Sequence, residues 1–304
     1  MEPTVQKIWN GMIPIELQLA AADAIELLAS AVLPEPFQTF YMLVPRVGYL
    51  PFTTARIKEQ WLDPMLEMSG SRTQNVKETE FWFEYNKQPL KWHYPVGLLY
   101  DMLVREPELP WSLTLHVRKY PTPKLIPSPS IQSMRDMFMA MIKEADFIRN
   151  GSTKRVMDLA KSDQMQLLDG LQDHSFEKYF AIHSIIVPAS KGAKTKSLKA
   201  VPLRFYMASG GQEDSAKEAP DISQFHVSQF PVPLTKEGST DLLVLADAFR
   251  VCYEIDQSGD AFVTNCACIC QGVSIPWETP ISWLVDNFFY ADCFLHLVVL
   301  NTVS

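Results

Sequence analysis

Glycine is scarce in this sequence, 12 residues against 22 prolines in 304, and the glycines present form no nucleotide-binding pattern. Gly151-Ser152-Thr153-Lys154 has neither the residue order nor the preceding glycine that a phosphate-cradling loop requires. The dinucleotide fingerprint G-x-G-x-x-G and the nucleophile elbow G-x-S-x-G are absent as well. Excess positive charge is also lacking. The 27 Lys and Arg against 35 Asp and Glu give a net charge of −8, which excludes a chain that wraps nucleic acid over its whole surface and confines any anion contact to a local patch. Five cysteines, an odd number, supply no disulfide framework. The N-terminal MEPTVQKIWNGMIPIEL lacks a basic segment followed by an uninterrupted apolar run, so a cytoplasmic protein is expected. The most membrane-like stretch, Ile281 to Leu300, is broken by Asp286, Asn287, Asp292 and His296. A single mid-bilayer Asp costs roughly 2.5–3.5 kcal/mol, so no anchor is expected there.

What is present suffices for a real core, with 47% hydrophobic and 20% charged residues. The length is twice the ~150 residues of an ordinary domain, which predicts two core-forming units. A short repeat supports this. Pro95-Val96-Gly97-Leu98-Leu99-Tyr100-Asp101 resembles Pro280-Ile281-Ser282-Trp283-Leu284-Val285-Asp286, and each copy leads into an apolar strand with a histidine, His116 or His296. In the first copy, strands are expected over Met12 to Ala20, Phe40 to Val44 and Glu80 to Tyr85, with a helix over Thr53 to Met65. In the second, strands are expected over Val201 to Met207, Phe225 to Leu234 and Ala261 to Val273, with a helix over Thr240 to Tyr253 capped by Thr240. Strand, strand, helix, strand, short helix, strand is the order of a β-grasp. The expected fold class is therefore α+β, two ubiquitin-like modules flanking a helix-rich one; an unrelated pair of α+β domains is the competing reading.

The helix-rich segment carries the clearest periodicity in the chain: Ile131, Met134, Phe138, Met141, Ala145 and Ile148 recur three and four apart, and Gly151 closes the helix. Shorter helices are expected near Lys154 to Lys161, Asp163 to Gly170 and Phe176 to Ile185. The expected domains are 1–124 (N-terminal helix and first module), 125–190 (helices), 191–200 (basic linker) and 201–304 (second module). Lys191, Lys194, Lys196 and Lys199 make that linker basic; a solvated linker is the plain reading, and contact with an anionic membrane the functional one.

Catalytic chemistry is not apparent, and neither metal nor cofactor is expected. Cys266, Cys268 and Cys270 alternate in an apolar run and suggest a strand, where same-face sulfurs are ~6.6 Å apart, too far to share a zinc. Cys293 and His296 fall on opposite faces of a strand. In the periodic helix Lys143 lies opposite the apolar seam and is expected to face solvent. The sequence Leu300-Asn301-Thr302-Val303-Ser304 lacks the terminal glycine that a ubiquitin-like modifier uses, and the chain is not expected to be a modifier itself.

Three segments carry a family resemblance: FWFEYNKQPLKWHYPVGLL from Phe81 to Leu99, PRVGYL from Pro45 to Leu50, and MIKEAD from Met141 to Asp146. The sequence resembles the autophagy protein 5 family over nearly its whole length. That resemblance implies a non-catalytic scaffold. Lys143 would accept the C-terminal glycine of autophagy protein 12 through an isopeptide bond, the transfer being catalysed by separate autophagy conjugating enzymes. A helix of autophagy protein 16 would lie in a groove with Ile8, Trp9 and Arg46 as candidate contacts; these residues could instead tie the N-terminal helix to its own domain and cap a neighbouring segment. The assembled complex would act in E3-like fashion, promoting conjugation of autophagy protein 8 family modifiers to phosphatidylethanolamine, with peripheral recruitment to the phagophore membrane. The competing classes are an unconjugated ubiquitin-like adaptor and a thiol enzyme using Cys293 or the 266–270 cysteines. Trp82, Trp92 and Tyr94 are read as core rather than interface.

Overall fold

The computed structural model describes residues 3–28, 33, 35–70, 76–106, 108–126, 130–187, 199–208, 222–236, 238–253 and 265–301. Most of the polar stretch Ser209 to Ser223 lies outside them, as do Lys191, Lys194 and Lys196. The chain separates into two compact units, one of Gly11–Leu99 with Val104–Asp136, the other of Met1–Asn10, Tyr100–Leu103 and Met137–Ser304.

In the smaller unit β1 (Met12–Leu19) pairs antiparallel with β2 (Phe40–Pro45) and parallel with β5 (Trp111–His116); β3 (Trp82–Tyr85) and β4 (Gln88–Pro89) complete a sheet of order β2-β1-β5-β3-β4. Alternation buries Ile13, Ile15, Leu17, Leu113 and Leu115 on one face. Helix α1 (Pro3–Trp9) precedes the sheet in sequence, and α2 (Ala21–Leu28) follows β1. The helix expected over Thr53 to Met65 is α3 (Thr54–Ile57) and α4 (Asp63–Met68), joined by a π-type turn over Lys58–Leu62. Pro64 has no N–H to continue the α ladder, which accounts for the interruption. Ile57, Trp61, Leu62 and Met65 are buried, with Trp61 donating its indole N–H to the Phe37 carbonyl at 3.1 Å. Helix α5 (Val96–Leu103) starts directly after Pro95.

The larger unit repeats the sheet as β7-β6-β10-β8-β9, from β6 (Val201–Ala208), β7 (Phe225–Val232), β8 (Cys266–Cys270), β9 (Val273–Ile275) and β10 (Leu295–Asn301). The strand expected over Ala261 to Val273 is in fact a hairpin in its described part. Cys270 pairs with Val273 across Gln271 and Gly272, both at positive φ, the backbone of a two-residue turn. Asn86 and Lys87 make the matching turn between β3 and β4. Helices α6 (Ile131–Asn150), α7 (Lys154–Met157), α8 (Lys161–Gln172) and α9 (Phe176–Ile186) form the helical region, while α10 (Leu245–Tyr253) and α11 (Ile281–Asn287) belong to the second module. α10 begins later than expected, and Thr240 is not its cap. Leu242 and Val244 are drawn into bridges with Thr235 and Pro280, leaving the helix to start at Leu245. Phe249 of α10 meets Phe205 of β6 edge to face at 5.2 Å.

Two expectations shift in register. His116 closes β5, stacked on Trp82 at 3.6 Å, whereas His296 is the second residue of β10 and fully enclosed, so the two histidines are not equivalent. Trp92 is core, but Trp82 and Tyr94 are only half-buried. No helix among the described residues is long and apolar enough to cross a membrane, and Ile281 to Leu300 folds as α11, a turn and β10.

Candidate functional site

Helix α6 begins at Ser130, whose hydroxyl accepts the Ser133 N–H at 3.1 Å, and ends where Gly151 takes φ +70° and its N–H reaches the Phe147 carbonyl at 2.7 Å. Its buried face comprises Met134, Phe138, Met139, Ile142, Ala145, Asp146 and Arg149. The seam is therefore rotated from the expected one: Ile142, not Met141, is its fully buried member, and Ile131 is exposed. Lys143 follows Ile142 and is half-buried rather than opposite the seam. Neither hydrogen bond nor ion pair is formed by Lys143 with the described residues.

The acids beside Lys143 are engaged elsewhere. Asp146 turns inward, accepting from Asn150 Nδ2 at 2.6 Å. The Glu144 carboxylate accepts from Arg204 Nη2 of β6 at 3.0 Å and from Gln229 Nε2 of β7 at 2.7 Å. Arg204 and Gln229 are themselves cross-strand partners, and Arg204 Nε donates to Gln229 Oε1. The same guanidinium donates from Nη1 toward the Met141 sulfur at 3.6 Å and stands 4.2 Å from the Phe294 ring centroid.

Next to Phe294 lies a buried chain in which His296 Nδ1 is 2.8 Å from the Tyr206 hydroxyl and His296 Nε2 is 2.9 Å from Asp292 Oδ2. Burial alone pushes the Asp292 carboxyl up, but the charge and hydrogen bond of His296, the Phe294 N–H and Arg204 together hold it below its ordinary value. Phe147, one turn after Lys143 and 58% exposed, borders a pocket of about 420 Å³ with Ile148, Lys199, Gln229, Pro231 and Pro233. Lys199 is exposed, its backbone N–H donating to the Arg149 carbonyl at 2.9 Å.

The other candidates are dispersed. Ile8 is half-buried on α1. Trp9 is only 3% exposed, stacked on His174 at 5.3 Å and packed against Phe176, Tyr179 and Phe180, so α1 is fastened to the helical region of the larger unit. Arg46 donates from Nη2 to the Gly97 carbonyl at 3.2 Å. Arg204 and Gln229 were not identifiable from sequence, since they lie 60 and 85 residues from Glu144 and belong to no motif. All five cysteines are buried and free, and no metal-binding cluster occurs among the described residues.

Sequence profiles of the described domains of autophagy protein ATG5 match this chain in order: the UblA domain over residues 8–117, the alpha-helical bundle region over 131–189 and the UblB domain over 200–299. This chain belongs to the autophagy protein 5 family. Autophagy protein 5 of Arabidopsis thaliana is 28% identical across 97% of both chains, and that of Drosophila melanogaster is 28% identical across 97% of this chain and 96% of its own. The protein of Emericella nidulans is 30% identical over 76% of this chain and 69% of its own. The crystal structure of Kluyveromyces marxianus Atg5 shares the fold, with a TM-score of 0.71, 24% identity and coverage of 98% of this chain and 99% of that one. Two ubiquitin-like domains flanking a helical bundle are thus the family architecture, and the role of this chain lies in autophagy.

Proposed function

We propose that the chain is a non-catalytic acceptor and scaffold in which Lys143 receives autophagy protein 12. The observation that carries the reading is the state of Lys143: it sits mid-helix in the MIKEAD segment of an autophagy protein 5 family member, partly accessible, with both nearby acids bound to other groups. The chemistry demands only that. The deprotonated Lys143 Nζ attacks the glycine carbonyl of a thioester on a separate conjugating enzyme, a C–N bond forms as the C–S bond breaks, the enzyme leaves as thiolate, and the nitrogen gives up one proton to solvent. Conjugated and bound to autophagy protein 16, the chain promotes transfer of an autophagy protein 8 family modifier to phosphatidylethanolamine, in the cytoplasm and peripherally at the phagophore membrane.

For the autophagy protein 16 helix we propose Ile8 and Arg46 as contacts, with Trp9 supporting α1 from its buried position. Lys199 is the described member of the basic segment proposed to touch anionic lipid, each lysine contributing about 1 kcal/mol at such a surface. Neutralising Lys191, Lys194, Lys196 and Lys199 together should weaken sedimentation with anionic liposomes; unchanged binding rejects the patch. The adaptor alternative is tested by Lys143→Arg, which abolishes the conjugate if Lys143 is the acceptor and changes nothing if the protein is never conjugated.

A further inference from the structure

The turn of α6 that carries Lys143 is held from outside the helix at two points, Met141 and Glu144, by one side chain. Arg204 is only 16% exposed, and each edge of its guanidinium is occupied: Nη2 by the Glu144 carboxylate, Nε by Gln229 and Nη1 by the Met141 sulfur, with the Phe294 ring against its face. A lone surface ion pair orders little, because two long side chains must be fixed in one geometry. Here the geometry is imposed from below and beside. The Phe294 ring lies against the guanidinium, its own N–H held by the buried Asp292 carboxylate that also binds His296, and Gln229 fixes the outer edge from the neighbouring strand.

We propose that Arg204, together with Gln229, is a positioning residue for acceptor conjugation: the sheet of the second module grips the Met141-to-Glu144 turn and fixes where the Lys143 amine can be presented. This rests on the reading of Lys143 as acceptor. Attack on a thioester requires the amine to arrive within about 3–3.5 Å of the carbonyl along one direction, and small displacements of a reacting group lower the rate steeply. The buried face of α6 does not involve Arg204, so the helix persists without the clasp while the placement of its outward side relaxes.

The test uses the full chain and a ubiquitin-like modifier held as a C-terminal glycine thioester on its conjugating enzyme, with single-turnover rates read across thioester concentrations. Arg204→Lys, Arg204→Met and Gln229→Leu are expected to lower the maximal rate, roughly tenfold for Arg204→Met, while the half-saturating concentration and the thermal midpoint stay near wild type. A maximal rate that falls while the thermal midpoint and the half-saturating concentration hold is the signature of a misplaced amine, which a role in stability alone would not produce. A wild-type maximal rate in Arg204→Met overturns the proposal; so does a loss that follows the thermal midpoint. Lys143→Arg in the same assay separates the two readings: conjugate that survives it refutes the acceptor, whereas its complete loss beside an unaffected Arg204→Met refutes only the positioning.

Discussion

The imidazole of His183 lies parallel to the ring of Phe289, with centroids 4.8 Å apart and planes 5° from coplanar. The pair sits inside the larger unit, with Tyr179 and Phe180 also in ring contact with His183. Burial, and secondarily the charge of Arg149, push the histidine down to about 3. It is therefore neutral in the folded protein and protonates on unfolding at any pH below its free value of about 6.5. Its contribution to stability is complete above that value and is lost progressively as pH falls toward 3. Between pH 6.5 and 5 the expected loss is roughly 2 kcal/mol, read as a falling urea midpoint. His183→Phe keeps the stacking and removes the titration, so its acid slope should be flatter; a slope equal to wild type contradicts the assignment.

Gly97 opens α5 against Arg46, with backbone hydrogen bonding from Gly97 N–H to the Arg46 carbonyl at 2.8 Å. A Cβ at Gly97 would stand 2.9 Å from both the Cβ and the carbonyl oxygen of Arg46. Backbone cannot swing aside as a side-chain tip can. Gly97→Ala is expected to cost about 1–3 kcal/mol by overpacking, measured by chemical denaturation, and to displace Arg46 from its place on the Gly97 carbonyl. A neutral Gly97→Ala would show that the loop before α5 yields freely.

Trp9 is predicted to carry the attachment of the N-terminal helix. Trp9→Ala removes a buried ring with four aromatic neighbours, and comparable truncations cost about 3–5 kcal/mol. Limited proteolysis should then cut near α1 before anywhere else in the larger unit. Cleavage as slow as in wild type would contradict this.

The thiol-enzyme alternative makes its own prediction. Burial pushes Cys252 and Cys293 up to about 12 and Cys268 higher still, so none is a thiolate near neutral pH. Native protein should resist iodoacetamide at pH 7.5, with labelling appearing only on unfolding. Rapid alkylation of Cys293 in the folded protein would reopen nucleophilic chemistry.

Much of the fold was legible because hydrophobic period and turn chemistry agree along most of the chain. β1, β2, β6 and the helices of the bundle lie close to where alternation and 3.6-residue spacing put them. The misses have local causes. A two-residue turn built on Gln271 and Gly272 folds a run of apolar and cysteine residues into a hairpin, and a periodic pattern does not reveal where a strand doubles back. Helix α10 loses its expected first turn because Leu242 and Val244 find bridge partners remote in sequence. On α6 the buried face includes the polar Asp146 and Arg149, which a hydrophobic pattern assigns to the solvent side, so the seam read from apolar spacing is rotated from the observed one. The Arg204–Glu144 clasp joins residues brought together only by the packed fold, so no local signal announced it.

The central claim is that Lys143 forms an isopeptide bond. It is tested most directly by isolating the protein from its own cells under denaturing conditions and sequencing, by mass spectrometry, any species heavier by one small modifier. The account predicts a branched peptide with a C-terminal glycine joined to the Lys143 amine, and its disappearance in Lys143→Arg while the unmodified chain stays folded. A modifier on a different lysine, or only unmodified chain in cells active in autophagy, would contradict it.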